Sequence, residues 1–275
     1  MNRMRFAVLG PLGLLDERGA DHTPKPLKLR TLLAALVINA GNVVPVSQLI
    51  QELWPHEAPR TAATAMHVYV SQLRKHLLNC PVTKGSGRSM LLTRQPGYVL
   101  QTAGNDVDLS LFRLRLEEAR EAELAGDLPA ASAQLNRGLS LWRGDALADV
   151  RGGPMLHHFA KRIEERRLAA IERKLSIDLR LGHHHEAVGE LQSLVDQHPH
   201  WENFHGYLMI GLYRSGRTAE ALTVYARLRT RLIERLGMEP AVEMQELHQR
   251  VLNRDGILNH GDSVRLLTGE RSFSA

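Results

Sequence analysis

The sequence is poor in cysteine, in aromatic residues and in long apolar runs. Its 275 residues include one cysteine, Cys80, and aromatic side chains make up 5% of the chain. A single cysteine excludes an internal disulfide framework and is typical of a reducing cytosol. No stretch reaches the roughly 18 apolar residues that a membrane span requires, and the first ten residues hold too short an apolar run for a signal peptide. We therefore expect a cytoplasmic protein without a membrane partner.

Motifs for enzyme chemistry and metal binding are also lacking. Histidines cluster at His157-His158 and His183-His-His185, but neighbours on a helix point about 100° apart and do not easily share one ion. Neither a His-Glu-x-x-His motif nor a Cys–His pair is present, and Lys84-Gly-Ser-Gly87 has the wrong spacing for a phosphate-binding loop. We predict that the protein is not an enzyme and has no cofactor and no metal.

The positive charge is concentrated in the N-terminal third. Residues 1–105 hold 12 Lys and Arg against 5 Asp and Glu, whereas residues 106–275 hold 23 against 25. A basic domain beside a nearly neutral one indicates a module that binds a polyanion, joined to a module that binds other partners.

The N-terminal third has the pattern of a small domain with three helices and a terminal hairpin. Apolar runs predict two short strands around Gly10-Pro11, and apolar spacing predicts helices after Pro26, from an N-cap at Ser47 to Pro55, and from the Pro59 region to about Asn79. Strands at 89–93 and 98–102 then flank a turn formed by Arg94-Gln-Pro-Gly97.

The third helix has two contrasting sides. At 100° per residue its apolar stripe consists of Ala62, Met66, Val70, Leu73 and Leu77. The opposite side consists of Arg60, Thr61, Thr64, His67, Val68, Ser71, Gln72 and Lys75, with Arg74 at its edge. This side has no acidic residue, whereas a solvated helix face normally mixes both charges.

An acid-free side of this composition suits the major groove of DNA. Gln pairs with adenine, Arg or Lys with guanine, and Val contacts the thymine methyl group. Arg94 is placed to enter the adjacent minor groove, Tyr98 to offer its hydroxyl to a phosphate, and Lys84 and Arg88 to add positive charge. Trp54 is either a core residue or a phosphate contact through its indole N–H. The alternative interpretation is an ordinary polar surface beside a solvated turn.

From Asp108 onward the pattern is almost entirely helical and contains a repeat. Gly182 followed by Glu186-Ala187 recurs 34 residues later as Gly216 followed by Glu220-Ala221, and Gly126 with Ala131 is a fainter copy. This period is that of tetratricopeptide repeats, in which Gly ends one helix and Ala permits close packing of the next. After about Asn253 the periodicity fades, which predicts a flexible tail at 253–275.

The order of motifs resembles a known family. Leu53-Trp54, Val68-Tyr-Val-Ser-Gln-Leu-Arg-Lys75 and Pro96-Gly-Tyr98 resemble OmpR-type winged helices, and Leu139-Ser-Leu-Trp-Arg-Gly-Asp145 and Leu236-Gly-Met-Glu-Pro240 resemble the bacterial transcriptional activator domain. Together they are similar to the Streptomyces antibiotic regulatory protein family. The implied fold is mostly α, with a winged helix-turn-helix domain at 1–105 and a tetratricopeptide-like domain at 106–252.

The resemblance implies a transcriptional activator of a secondary-metabolite gene cluster, associated with the nucleoid. Such proteins bind direct repeats near promoters as tandem copies and recruit RNA polymerase holoenzyme. Carried onto this chain, the base-reading positions are His67, Val68, Ser71 and Gln72. Arg74 and Lys75 then make neighbouring contacts, and Arg94 makes the wing contact. Gln72 stands where the family usually has Arg, which favours adenine over guanine. The competing function is a helical-repeat scaffold with an incidentally basic N-terminal domain.

Overall fold

The computed structural model describes residues 4–80, 90–102 and 106–267, and this part of the chain is mainly helical. Its helices are α1 (Leu27–Ile38), α2 (Val46–Leu53), α3 (Ala62–Asn79), α4 (Asp108–Leu124), α5 (Leu128–Leu139), α6 (Pro154–Arg180), α7 (His184–Gln197), α8 (Glu202–Arg214), α9 (Thr218–Leu236) and α10 (Val242–Leu252). Its strands are β1 (Arg5–Ala7), β2 (Gly13–Leu15), β3 (Val44–Pro45), β4 (Leu91–Arg94) and β5 (Gly97–Leu100). None of the described helices is long and apolar enough to cross a membrane.

The chain divides into two compact units. The first comprises the described residues of 1–118 and 134–168, and the second those of 119–133 and 169–275. The first unit therefore includes residues C-terminal to position 105, where the sequence predicts a domain boundary. That boundary stays a prediction about function, because compactness and function need not divide a chain at the same residue.

The first unit contains two small antiparallel sheets. Strands β1 and β2 form a hairpin, and β5 lies between β3 and β4 in a three-stranded sheet. Strand β3 was not predicted from the sequence. Gly97 pairs with Pro45 so closely that a Cβ at this position would lie 1.8 Å from the carbonyl oxygen of Val44. Only glycine permits this approach, which explains why the hairpin requires glycine at position 97.

Helix α3 packs as its apolar pattern predicts. Ala62, Met66, Val70, Leu73 and Leu77 are its buried residues. Helix α1 begins one residue after Pro26, in agreement with the predicted start. The predicted N-cap at Ser47 is wrong, because α2 begins at Val46 and its N-cap is Pro45. Pro45 pairs with Gly97 as the last residue of β3, and the helix begins directly after it, two residues earlier than the capping rule indicates.

Within the first unit, buried carboxylates join residues 1–54 to the start of α4 and to the start of α6. The carboxylate of Asp108 accepts hydrogen bonds from the backbone N–H of Val8 at 2.9 Å and of Leu9 at 3.0 Å. Burial raises the pKa of Asp108 above its ordinary value, although these N–H groups lower it. The carboxylate of Glu52 accepts hydrogen bonds from the N–H of Met155 at 2.8 Å and of Leu156 at 3.1 Å. Glu52 therefore caps the first turn of α6, where the helix dipole favours negative charge.

The loop before α6 is fastened to the same residues. Asp149 accepts a hydrogen bond from the N–H of Leu12 at 2.8 Å and forms an ion pair with Arg30. The hydroxyl of Thr31 donates to the carbonyl of Arg151 at 3.1 Å. A Cβ on Gly153 would lie 2.6 Å from the carbonyl oxygen of Gln51, so this close approach also requires glycine. These contacts make the loop a structural part of the first unit.

The second unit contains the predicted helical repeat. Gly126, Gly182 and Gly216 all adopt a positive φ, from 75° to 86°. After each one, the next backbone N–H bonds to a carbonyl five residues earlier: Asp127 to Ala122, His183 to Asp178 and Arg217 to Leu212. The alanines of the pattern, Ala131, Ala187 and Ala221, are at most 3% exposed. The faint first copy therefore has the same turn as the two clear ones.

The expected flexible tail is wrong for residues 253–267. They form two 3-10 segments, Gly256–Asn259 and Gly261–Leu267, that bury Leu258, Val264 and Leu267. The guanidinium of Arg214 donates from Nε to the carbonyl of Leu258 at 2.7 Å and from Nη2 to the hydroxyl of Ser263 at 3.0 Å. Helical periodicity does not detect 3-10 segments, which repeat every three residues.

Candidate nucleic-acid interface

The side of α3 opposite its buried stripe is exposed. Val68, its one apolar member, is 49% exposed. The exposed residues are Arg60, Thr61, Thr64, His67, Val68, Ser71, Gln72 and Lys75, and Arg74 is half-buried. We call these nine residues the reading face. It contains no carboxylate, and the first turn of α3 holds no acidic residue. The positive end of the helix dipole therefore adds to the positive charge of this face.

Two members of the reading face contact the hairpin strands β4 and β5. Nδ1 of His67 lies 2.8 Å from the hydroxyl of Tyr98, and the two rings meet edge to face with centroids 6.5 Å apart. Arg74 donates from Nε to the carbonyl of Leu91 at 2.9 Å and from Nη2 to the hydroxyl of Thr93 at 2.7 Å. Its guanidinium carbon also lies 5.7 Å from the centroid of the Tyr98 ring. The sequence did not reveal these contacts, which fix the hairpin relative to α3.

These contacts change how Tyr98 and Arg74 must be interpreted. Tyr98 is 3% exposed, and its hydroxyl already has His67 as a partner. A phosphate contact from Tyr98 would have to share or replace that hydrogen bond. Arg74 directs two donors at β4 rather than outward, so its first role is to hold the hairpin in place. His67 remains exposed and keeps Nε2 for an outside partner.

Arg94 lies slightly away from its predicted position. The sequence places it in a four-residue turn, but it is the last residue of β4 and pairs with Gly97, so only Gln95 and Pro96 form the bend. Arg94 is exposed, and its side chain is available to solvent beside the bend. Lys84 and Arg88, predicted to add positive charge here, lie outside the described residues.

Trp54 follows α2 and is half-buried. The ammonium group of Lys28 lies 5.0 Å from the centroid of its ring, and the ring of Tyr69 lies 6.1 Å away. Lys28 also donates to the carbonyl of Leu53, at the end of α2. This ammonium group neutralises the negative end of the α2 dipole. The packing supports the core interpretation of Trp54, and a phosphate contact stays a prediction.

Metal binding and thiol chemistry are the other possibilities to consider in the described residues. In the ranges 4–80, 90–102 and 106–267, no three His, Cys, Asp or Glu side chains are grouped so that they could hold a metal ion. Cys80 is 4% exposed, and burial raises the pKa of its thiol. A raised pKa leaves little thiolate, which is the reactive form.

Comparison with known proteins identifies both halves of the chain. Residues 23–100 match the family model described as "Transcriptional regulatory protein, C terminal", and residues 107–252 match "Bacterial transcriptional activator domain". The chain is 37% identical to the regulatory protein DnrI of Streptomyces peucetius, covering 95% of this chain and 97% of that protein. It is 39% identical to the regulatory protein AfsR of Streptomyces griseus, covering 92% of this chain and 25% of that protein.

A solved structure has the same fold over nearly the whole chain. It is that of EmbR from Mycobacterium tuberculosis in complex with a low-affinity phosphopeptide. It matches with a TM-score of 0.86 and 31% identity, covering 98% of this chain and 70% of that one. The arrangement of a winged helix followed by a helical repeat is therefore shared with a transcriptional regulatory protein.

Proposed function

Because the chain belongs to the Streptomyces antibiotic regulatory protein family of DNA-binding transcriptional activators, we propose that the reading face of α3 recognises its operator. The observation that carries this proposal is an exposed helix side without carboxylates. The His67–Tyr98 contact joins this side to the hairpin, whose first strand ends at exposed Arg94. DNA presents phosphates on both sides of the major groove, and an acid-free helix enters it without charge repulsion.

Each exposed position of the reading face has a matching partner in DNA. Gln72 pairs with adenine through its amide, and Val68 contacts a thymine methyl group. His67 and Ser71 lie one helical turn apart on the same side and complete the set of base-reading residues. Lys75, Arg60 and the threonines Thr61 and Thr64 contact the phosphates that flank the groove. Arg94 enters the adjacent minor groove, where narrow A/T tracts attract guanidinium groups.

The assembly on DNA is part of the same proposal. Two copies bind a direct repeat near a promoter as a tandem homodimer, and residues 106–252 contact RNA polymerase holoenzyme. The genes controlled are those of a secondary-metabolite cluster, and the protein acts in the cytoplasm on the nucleoid. This division of labour takes residues 1–105 as the DNA-binding domain and residues 106–252 as the activator domain.

A gel-shift titration tests the reading face. The full chain is titrated against the intergenic DNA upstream of its own gene, and against single-base variants of the protected site. We expect Gln72→Ala to lose about 1–3 kcal/mol of discrimination at one base pair and to leave the others unchanged. Thr218→Ala, in the helical repeat, is the matched control and should bind as the parent does. Equal losses on every sequence would show that Gln72 does not read a base.

The hairpin contact is tested separately with Arg94→Ala. The loss of affinity should be largest on sites with A/T-rich flanks, since these have the narrowest minor groove. An unchanged gel shift on such sites would remove Arg94 from the interface. A chain that binds no DNA at low salt would instead favour the scaffold function.

A further inference from the structure

The second unit contains a pocket of about 470 Å³ over helix α8. Its base is one side of α8, where His205, Leu208 and Leu212 are spaced three or four residues apart and are at most 4% exposed. Helices α7 and α9 pack against α8 on either side and form the two walls. Clefts of this size typically hold small organic molecules. We call this cleft the α8 pocket.

The two walls carry opposite free charges. The α7 wall consists of Gln192, Val195 and Asp196, and the α9 wall of Glu220, Thr223, Val224, Arg227 and Arg231. Glu220 is already paired, since both of its carboxylate oxygens accept hydrogen bonds from Arg217 at 2.7 Å. The charges left for a ligand are therefore Asp196 on one wall and Arg227 and Arg231 on the other.

These three side chains are available to a ligand. Within the described residues, none of them takes part in a hydrogen bond or an ion pair inside the chain, so Asp196 does not pair with either arginine across the pocket. Asp196 and Arg227 are exposed, and Arg231 is half-buried. A small molecule that carries both charges can therefore lie between the walls and contact them together.

His205 supplies a hydrogen-bond acceptor at the base of the pocket. Its Nδ1 lies 3.1 Å from the carbonyl oxygen of Trp201 and must carry the proton of that hydrogen bond, because a carbonyl only accepts. Burial, together with the charge of Arg231, holds the pKa of His205 below its ordinary value, so the ring is neutral near pH 7 and Nε2 has a free lone pair. Nε2 has no partner in the part of the chain that the structure describes. A ligand that donates an N–H group here satisfies a buried ring that is otherwise half-paired.

The lining matches the three groups of an amino acid. Nε2 of His205 and the carboxylate of Asp196 are acceptors that suit an ammonium group. The guanidinium groups of Arg227 and Arg231 suit a carboxylate, which arginine can bind through two parallel hydrogen bonds. The remaining surface is apolar and suits an apolar side chain; it consists of Val195, Leu208, Leu212 and Val224.

We propose that the α8 pocket binds a free α-amino acid with a large apolar side chain, whose ammonium group contacts His205 and Asp196 and whose carboxylate contacts Arg227 and Arg231. A phosphate ion or an acidic peptide is a poor occupant, because neither would neutralise the carboxylate of Asp196. A purely apolar molecule would leave the charges of both walls unused. The proposal does not depend on base reading by α3.

Isothermal titration calorimetry with the full chain tests this proposal. The probe is L-phenylalanine, and two analogues each lack one of its charged groups. L-phenylalaninamide has no carboxylate, and 3-phenylpropanoate has no ammonium group. We expect saturable binding of L-phenylalanine, and binding of either analogue that is weaker by at least about tenfold. Equal affinity for the three compounds, or no binding of L-phenylalanine up to about 10 mM, would overturn the proposal.

Variants of the walls locate the site. Arg231→Gln and Asp196→Asn should each weaken binding of L-phenylalanine by at least about tenfold. Glu234→Gln and Arg235→Gln change exposed residues of α9 outside the pocket and should bind as the parent does. Melting temperatures without ligand verify that each variant is folded. Parental affinity in both wall variants would place the amino acid elsewhere and contradict the proposal, and gel shifts with the same variants report on the reading face independently.

Discussion

The hydroxyl of Tyr98 on β5 lies 2.8 Å from Nδ1 of His67 on α3, so one buried residue of the hairpin positions one exposed residue of the reading face. We therefore propose that the hairpin contributes to DNA binding in two ways. It presents Arg94 to the solvent, and it orients the His67 ring at the centre of the reading face.

Replacing Tyr98 by Phe should separate these two roles. The ring still packs, but the hydrogen bond to His67 is lost, which costs about 1 kcal/mol of unfolding free energy. We expect weaker discrimination between operator variants at the base pair read by His67, and a smaller change in binding to random DNA. Urea unfolding and gel shifts measure the two quantities. Tyr213→Phe, which removes a hydroxyl in the second unit, is the control and should leave discrimination intact.

Arg74 and Lys75 are adjacent basic residues with different expected roles. Arg74→Gln removes two hydrogen bonds to β4, so it should lower the unfolding free energy by about 1–2 kcal/mol and weaken binding to every DNA sequence. Lys75→Gln should leave stability unchanged and reduce the slope of log affinity against log salt by about one. Denaturation curves and salt titrations distinguish the pair. The same stability for both variants would contradict the anchoring role of Arg74.

Glu52→Gln tests the cap of α6. Glu52 is 2% exposed and accepts hydrogen bonds from two N–H groups at the start of α6. Glutamine keeps one acceptor but places an NH₂ group where the second is needed, so we expect a loss of about 1–3 kcal/mol in unfolding free energy. Glu57→Gln, on the surface, should show no change. Unchanged stability of Glu52→Gln would contradict the capping role of the Glu52 carboxylate.

Stability should also decrease in mild acid because of His205. This residue is 4% exposed, its Nδ1 donates to the carbonyl of Trp201 at 3.1 Å, and burial lowers its pKa below 6.5. Between the lowered pKa and about 6.5 the unfolded chain takes up a proton that the folded chain does not, so the unfolding free energy falls as the pH falls through this window. Urea midpoints from pH 8 to pH 5 measure the effect. His205→Gln should flatten the profile, and His200→Gln, on the surface, should not.

The sequence predicted those features that depend on local spacing. The buried stripe of α3, the start of α1 and the repeated glycine turns follow from periodicity and are confirmed. Strand β3 has two residues and no pattern of its own, since it forms only by pairing with β5. Periodicity likewise does not reveal that residues 253–267 pack through 3-10 segments anchored by Arg214.

The sequence predicted which residues form the reading face, but it did not predict their contacts with the hairpin. Exposure of Gln72 and Val68 follows from their place on the helix. The contacts of Arg74 with Leu91 and Thr93 join residues far apart in sequence, which no spacing rule detects. The burial of Glu52 was detectable in the sequence, because Glu52 lies three residues after Leu49 and therefore on the buried side of α2. An acidic residue in such a place indicates a buried partner.

The contacts that hold Asp149, Arg151 and Gly153 against residues 12–51 have a practical meaning for protein engineering. Chimeric activators are naturally designed by exchanging recognition modules at the end of the hairpin, near residue 105. Such an exchange would leave Asp108, Asp149 and the start of α6 facing foreign backbone, with their hydrogen-bond partners replaced. A transplant that alters operator preference without loss of folding should therefore carry the whole first unit, residues 1–118 and 134–168.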